Sequence, residues 1–104
     1  MGQFALYENT SPDSKDAYPY FVDVQNSLLD ALNTRLVIPL TPAEFLTENI
    51  TRLCPATTFN DDPFILLTQQ MTNVPVSALH SPVGSLQHLR DEIISALDFL
   101  VTGI

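Results

Sequence analysis

The stretch PYFVDVQNSLLDALNTRLVIPL, residues 19–40, holds two apolar runs separated by a polar connection. Residues 19–24 (PYFVDV) and 35–40 (RLVIPL) are rich in β-branched and aromatic side chains, which is typical of strands. Pro39 lacks a backbone donor, so we expect the second strand to lie at a sheet edge or to end there. Residues 25–34 mix leucines with turn-forming Asn and Thr and are interpreted as a connection with two exposed or half-buried leucines.

Further strands are predicted on both sides of this stretch by alternation or by continuous apolar runs. Four segments qualify, at residues 3–7, 53–59, 64–70 and 71–76. Turn-forming residues predict a loop at 8–18 and a turn at 60–63. The run Thr41-Pro42-Ala43-Glu44 combines a cap, a proline at the first helical position and a glutamate at the third, and it predicts a short helix to about residue 47.

The last element opens at Ser81-Pro82 and is predicted to be one amphipathic helix. Apolar residues recur there at spacings of three and four, at Leu86, Leu89, Ile93, Leu97, Leu100 and Ile104. Gly103 stands where a helix would stop. The whole pattern indicates a mainly β protein with a C-terminal α-helix, a small barrel or a sheet with a helix packed on it.

Composition limits the possible functions. The chain has 104 residues, enough for one domain, with twelve carboxylates against four Lys and Arg and a net charge of −8. Proteins that bind nucleic acid gain affinity from basic groups, so direct binding of DNA or RNA is disfavoured. The single cysteine, Cys54, allows no intrachain disulfide, and no apolar run is long enough to span a bilayer. We expect a soluble, cytoplasmic protein.

Catalytic or metal-binding patterns are missing from the sequence. His80 and His88 have no Cys or carboxylate at metal-ligand spacing, and they are interpreted as surface residues. Cys54 has no basic neighbour in sequence and reads as a small buried apolar side chain. The adjacent Asp61 and Asp62 precede a proline and are interpreted as solvated turn residues. We therefore expect no enzyme activity, no metal and no cofactor.

The chain end is unusual because it is apolar, whereas chain ends are commonly polar and frayed. Residues 99–104 read FLVTGI. These residues either fold back onto the core or a homodimer interface, or form a binding tip for another protein. Physical chemistry alone favours the first alternative.

Several short segments, in order along nearly the whole chain, resemble the CcdB toxin family. They are Gln3-Phe4, FVDVQ at 21–25, RLVIPL at 35–40, Met71-Thr72 with VPV at 74–76, and Gly103-Ile104. The resemblance implies one toxin domain over residues 1–104, folded as an SH3-like barrel. That barrel has a five-stranded antiparallel sheet, a small appended sheet and a C-terminal helix.

The resemblance also implies the function and the partners. It implies a homodimer that binds the DNA gyrase A subunit and traps gyrase with its DNA cleaved, with a role in plasmid maintenance. A CcdA-like antitoxin would neutralise the toxin, and the two together would repress transcription, with operator DNA contacted only through the antitoxin. Neither membrane nor direct nucleic-acid binding is implied.

The family's gyrase-binding residues can be carried over position by position. Gly103 and Ile104 match the end of a Trp-Gly-Ile pattern, in which Thr102 stands at the tryptophan position. Val101 replaces an aromatic residue, so the tip buries less area than in the family pattern. The remaining positions of the predicted gyrase-binding set are Asp98, Leu28 and Leu29.

Two alternatives remain open. An endoribonuclease toxin of the MazF or Kid type uses the same barrel, but it would need a basic groove and an acid–base set that the composition does not favour. The other is a chain that keeps the fold and the antitoxin pairing but has lost potency. Only Thr102 at the aromatic position supports it.

Overall fold

The computed structural model describes residues 2–45 and 52–103 of the chain. Its elements are seven strands, several single turns of 3-10 helix and one α-helix. The strands are β1 (Ala5–Glu8), β2 (Tyr20–Asp23), β3 (Thr34–Pro42), β4 (Ala56–Phe59), β5 (Asp62–Leu66), β6 (Thr72–Pro75) and β7 (Gly84–Ser85), and the helix is α1 (Arg90–Thr102). The predicted class, mainly β with a C-terminal helix, is confirmed, and the curled antiparallel sheet is consistent with an SH3-like half-barrel.

The strand count differs from the expected five-stranded sheet with a small appendage. All seven strands join one sheet in the order β4-β5-β3-β2-β1-β7, and β6 also pairs with β3. The reason is the length of β3, which has nine residues. One edge of β3 pairs with β2, while the other pairs first with β6 and then with β5. Both parts of the expected architecture are therefore connected through this strand.

Pro39 lies in the middle of the sheet, so the prediction that its strand ends there or lies at an edge is wrong. The pairing of β3 with β6 ends at Val37, and the pairing with β5 begins at Leu40. Pro39 occupies the gap, where its carbonyl accepts a hydrogen bond of 2.9 Å from the Leu67 amide. The missing N–H faces the same junction, so the proline removes no bond from either ladder.

Alternation along the strands divides their side chains between two faces. On one face, Leu6, Val22 and Ile38 stand opposite one another across β1, β2 and β3. This face forms the main core with Leu89 and Ile93 from the helix region. The other face carries a smaller cluster around Tyr7, Val37 and Leu79. The helix therefore covers one side of the curled sheet.

The α-helix begins later than the sequence indicates. Residues 83–86 are used by the sheet edge, where Val83 N–H donates to the Leu6 carbonyl and Leu86 N–H donates to the Phe4 carbonyl. A 3-10 turn, Gln87–Leu89, then leads into α1. Leu86 and Leu89 are nevertheless buried as the apolar spacing requires. The short helix predicted from residue 41 is a 3-10 turn, Ala43–Phe45, and the rest of it lies outside the described residues.

The predicted turn at residues 60–63 is a tight hairpin between β4 and β5. Asn60 and Asp61 have φ values of 51° and 67°, the left-handed pair that a type I′ turn requires. Glycine adopts this conformation without the steric cost borne by an L-residue at the second position. We therefore expect Asp61→Gly to raise the melting temperature by about 2–4 °C, for a gain of about 0.5 kcal/mol. Thermal unfolding checks this, with Asp62→Gly, a strand residue, as the destabilised control. A lower melting temperature for Asp61→Gly would contradict the turn assignment.

Candidate functional site

The C-terminal half of α1 leaves the core and ends in exposed side chains. Ile93 and Ala96 are buried, Leu97 is half-buried, and Val101 is 77 % exposed. Asp98, Thr102 and Gly103 are exposed as well. We call Asp98, Val101, Thr102 and Gly103 the helix tip. The expectation that the chain end folds back onto the core of the chain is therefore wrong for Val101, Thr102 and Gly103, all of which are exposed. Ile104 lies outside the described residues.

Two hydrogen bonds close the end of the helix. The Thr102 hydroxyl donates to the Asp98 carbonyl at 2.7 Å, and the Gly103 amide donates to the Phe99 carbonyl at 2.9 Å. Gly103 has φ 74°, the left-handed conformation of a helix C-cap, which favours glycine. A Cβ atom built on Gly103 would meet nothing within 4 Å in the part of the chain that the structure describes. Glycine is therefore favoured here by its backbone conformation and not by a lack of space among the described residues.

Arg52 packs against Phe99 in the last turns of α1, a contact that sequence analysis did not predict. Its guanidinium lies 4.8 Å from the centre of the Phe99 ring, within the range of a cation–π interaction. Phe99 precedes Gly103 on the same turn of the helix and supplies the carbonyl that caps it. No spacing pattern connects residues 52 and 99, so only the folded structure reveals the pair.

Leu28 and Leu29 lie in a 3-10 turn, Ser27–Leu29, separated from the end of β2 by three residues. The Asn26 side chain caps this turn by accepting a hydrogen bond of 2.9 Å from the Leu28 amide. Leu28 is 89 % exposed and Leu29 is 48 % exposed, and Leu32 of the same connection is exposed as well, so the connection has three exposed leucines where two were expected. We call Ser27–Leu29 the leucine turn. Two large apolar side chains held in water by a capped turn are typical of a recognition surface.

A buried ion pair lies under the leucine turn. The Arg35 guanidinium in β3 donates to Asp23 Oδ2 through Nη2 at 2.7 Å and Nε at 3.0 Å, and both residues are almost fully buried. Arg35 Nη1 donates to Asp30 Oδ1 at 2.6 Å, and Asp30 is 44 % exposed. Burial acts to lower the pKa of Arg35, but its bonds to Asp23 and Asp30 outweigh burial and raise that pKa. The guanidinium therefore stays charged and fixes the residue that follows the leucine turn.

Gln25 connects the leucine turn to the sheet at a second point. Its side-chain amide donates to the Leu29 carbonyl at 3.1 Å, and its Oε1 accepts from the Leu36 amide at 3.1 Å. Its backbone N–H donates to Asp23 Oδ1 at 2.9 Å. Gln25, Asp30 and Arg35 were not predicted as site residues. Gln25 and Arg35 lie within the two segments quoted for the family resemblance, but nothing in their local spacing indicates these long-range bonds.

Tyr7 lies beside this ion pair. Its hydroxyl is buried and has no hydrogen-bond partner among residues 2–45 and 52–103. Burial raises the pKa of Tyr7, the Asp23 carboxylate raises it further, and the Arg35 charge opposes both. Tyr7 therefore packs as a neutral side chain on the face of the sheet that carries the smaller cluster, with Val37 and Leu79.

The seven predicted gyrase-binding residues fall into two groups plus Ile104. Four belong to the helix tip and two to the leucine turn. Among residues 2–45 and 52–103, no hydrogen bond or ion pair joins the two groups. Each has its own anchor, the Phe99 turn for the helix tip and the Asp23–Arg35 pair for the leucine turn.

Cys54 is buried, and its thiol donates a hydrogen bond of 3.3 Å to the Gln69 amide oxygen. Burial raises the pKa of this thiol, although the bond to Gln69 opposes the rise. Because the thiolate is the nucleophile, we expect iodoacetamide at pH 8 to alkylate folded protein at least about tenfold more slowly than urea-unfolded protein. Mass spectrometry over time measures both rates. Equal rates would contradict the burial of this side chain.

Within the described part of the chain, no group of three or more His, Cys, Asp and Glu residues could hold a metal ion. None of its helices is long and apolar enough to cross a membrane. The described residues form a curled antiparallel sheet with one helix packed on it, and they include two exposed apolar segments, the helix tip and the leucine turn.

This architecture is that of a small barrel-like protein, a curled antiparallel sheet with one C-terminal helix. The family model described as CcdB protein matches residues 3–103. The chain therefore belongs to the CcdB family, a family of toxins of toxin–antitoxin systems.

Proposed function

We propose that this toxin binds the A subunit of DNA gyrase and traps the complex in which gyrase has cleaved its DNA. The observation that carries the proposal is the helix tip, where Val101 is 77 % exposed at the end of a capped helix. A poison of this kind needs no catalytic residue. It needs only to bind one state of gyrase more tightly than the others, which shifts the population toward that state.

A homodimer fits this proposal. Gyrase A is itself a dimer, so a toxin with a two-fold axis would present two helix tips and two leucine turns to equivalent surfaces of the two gyrase A subunits. The exposed Leu28 and Leu29 would contribute apolar area in addition to that of Val101. Thr102 is the weak point of this surface, because its hydroxyl is used by the Asp98 carbonyl and its small side chain offers little area.

The charge of the chain supports a protein partner. With a net charge of −8, the toxin favours a basic protein cleft over the DNA itself. We further propose that it acts in the cytoplasm, that a CcdA-like antitoxin neutralises it, and that the pair represses its own operon through antitoxin-bound DNA. A disordered antitoxin segment that folds on binding would suit these shallow exposed surfaces.

The distribution of basic side chains argues against an endoribonuclease on this fold. Arg35 is buried and paired with two carboxylates, Arg52 lies on Phe99, and Arg90 is 3.3 Å from Asp91. Of the four Lys and Arg residues, Lys15 alone has no ion pair or ring contact among residues 2–45 and 52–103. A groove that binds RNA needs several basic groups together.

A cleavage assay tests the proposed function. Gyrase, supercoiled plasmid and ATP are incubated with the protein, the reaction is denatured with detergent and protease, and linear DNA is measured. Linear DNA that increases with toxin and disappears with a matched antitoxin is the expected result. Its absence would contradict gyrase poisoning, and RNA incubated with the same preparation would then separate a ribonuclease from an inactive toxin.

A further inference from the structure

The leucine turn cannot hold its own conformation. It is a single turn of 3-10 helix, and runs this short have little intrinsic stability. Leu28 is 89 % exposed and therefore gains little from packing. The Asn26 cap is local and would move together with the turn. Order in this segment must come from contacts that reach the sheet.

Two side chains provide those contacts. Gln25 holds the Leu29 carbonyl and is fixed in turn by the Leu36 amide of β3. The next residue, Asp30, whose amide donates to the Ser27 carbonyl at 3.2 Å, is held by Arg35 at 2.6 Å. Arg35 cannot move to follow the turn because Asp23 holds its Nε and Nη2 atoms. The C-terminal end of the turn is therefore fastened to β3 by two separate contacts.

We propose that Gln25 and Asp30 are positioning residues that preorganise Leu28 and Leu29 for binding. The inference rests on the proposed function, because the partner of the two leucines is taken to be gyrase. Neither Gln25 nor Asp30 needs to contact that partner. Both act by removing the entropy cost of ordering the two leucine side chains when the complex forms.

The test compares Asp30→Ala with Asp30→Asn, which keeps an oxygen that accepts from Arg35. Gln25→Met is a second variant that removes both side-chain bonds at nearly constant volume. Amide hydrogen exchange at Leu29 and Asp30 reports the order of the turn, and the toxin concentration giving half-maximal linear DNA reports binding. Ile38→Val serves as a control, because it weakens the core without touching the turn.

We expect Asp30→Ala and Gln25→Met to speed exchange at the turn about tenfold. Both should raise the half-maximal toxin concentration about fivefold to tenfold. Asp30→Asn should stay within about twofold of the parent protein in both measurements, since its acceptor is retained. Ile38→Val should lower the global stability but leave exchange at the turn and the half-maximal toxin concentration unchanged.

The outcomes separate this inference from the proposed function. If the parent protein produces no linear DNA, gyrase poisoning fails, and exchange alone decides whether the two residues order the turn. Unchanged exchange in Asp30→Ala and Gln25→Met overturns the inference. It is equally overturned if the turn loosens while poisoning by an active toxin stays the same, or if Asp30→Asn behaves like Asp30→Ala.

Discussion

Deletion of Gly103 and Ile104 is expected to abolish killing by the toxin while leaving its fold intact. The helix is anchored by Ile93 and Ala96, well before the deletion, and nothing among residues 2–45 and 52–103 lies within 4 Å of a Cβ at Gly103. Within the described residues the deletion removes one cap bond, from the Gly103 amide to the Phe99 carbonyl, and should cost about 1 kcal/mol of stability. Loss of an interface hot spot costs more, about 3 kcal/mol or above, which corresponds to about a hundredfold loss of binding.

Colony counts after induced expression, without antitoxin, measure killing, and the cleavage assay measures poisoning directly. Val83→Ser is a suitable control because Val83 is also an exposed apolar residue, 41 % accessible, but lies outside the proposed surface. It should kill as effectively as the parent protein. If the truncated toxin still kills, the helix tip is not the main contact. If the truncated toxin unfolds or loses its oligomeric state, the loss of killing has a structural cause instead.

The parts of the fold that depend on local pattern were predicted well. The strands predicted at residues 3–7 and 19–24 correspond to β1 and β2. The three-and-four spacing of Leu89 and Ile93 predicted one apolar face, and both residues pack in the main core. Burial depends on the periodicity of each element, so it can be inferred before the elements are assembled. The predicted exposure of the leucine connection and the burial of Cys54 were likewise confirmed.

The parts that depend on partners distant in sequence were missed. Pro39 is compatible with a central strand only because two different strands meet opposite it, which no property of β3 itself reveals. Residues 84–85 form a strand because they pair with β1, and this pairing delays the start of the helix. In both cases tertiary pairing overrides local preference.

The candidate site likewise has parts that were named before the structure was known and parts that only the structure shows. The exposure of Leu28 and Leu29 was predicted from the sequence, because leucines among turn-forming residues indicate an exposed connection. The residues of the helix tip were named only through the family resemblance, since the apolar pattern alone favoured a chain end folded back. The residues that support the two surfaces were not predicted. Asp23 and Arg35 each read as a single charge at a strand end, and their pairing across β2 and β3 follows only from the register of the sheet, in which Asp23 lies opposite Val37.

Removal of either member of the buried Asp23–Arg35 pair is expected to destabilise the toxin by about 3–5 kcal/mol. The reason is that Asp23→Asn leaves a buried guanidinium short of a carboxylate, while Arg35→Met leaves a buried carboxylate without its cation. A loss of this size is a large fraction of the 5–15 kcal/mol that stabilises a typical domain. Urea unfolding followed by circular dichroism measures it as a lower transition midpoint.

The double variant Asp23→Asn/Arg35→Met decides whether charge causes the loss. It removes both charges but keeps a side-chain oxygen at position 23 that can accept from the backbone N–H of Gln25. If uncompensated charge is the cause, the double variant loses less stability than the sum of the two single losses. It is then at least as stable as the less stable of the two single variants. Arg90→Met, which breaks the exposed pair with Asp91, should have almost no effect. Strictly additive losses would assign the effect to packing of the arginine stem rather than to its charge.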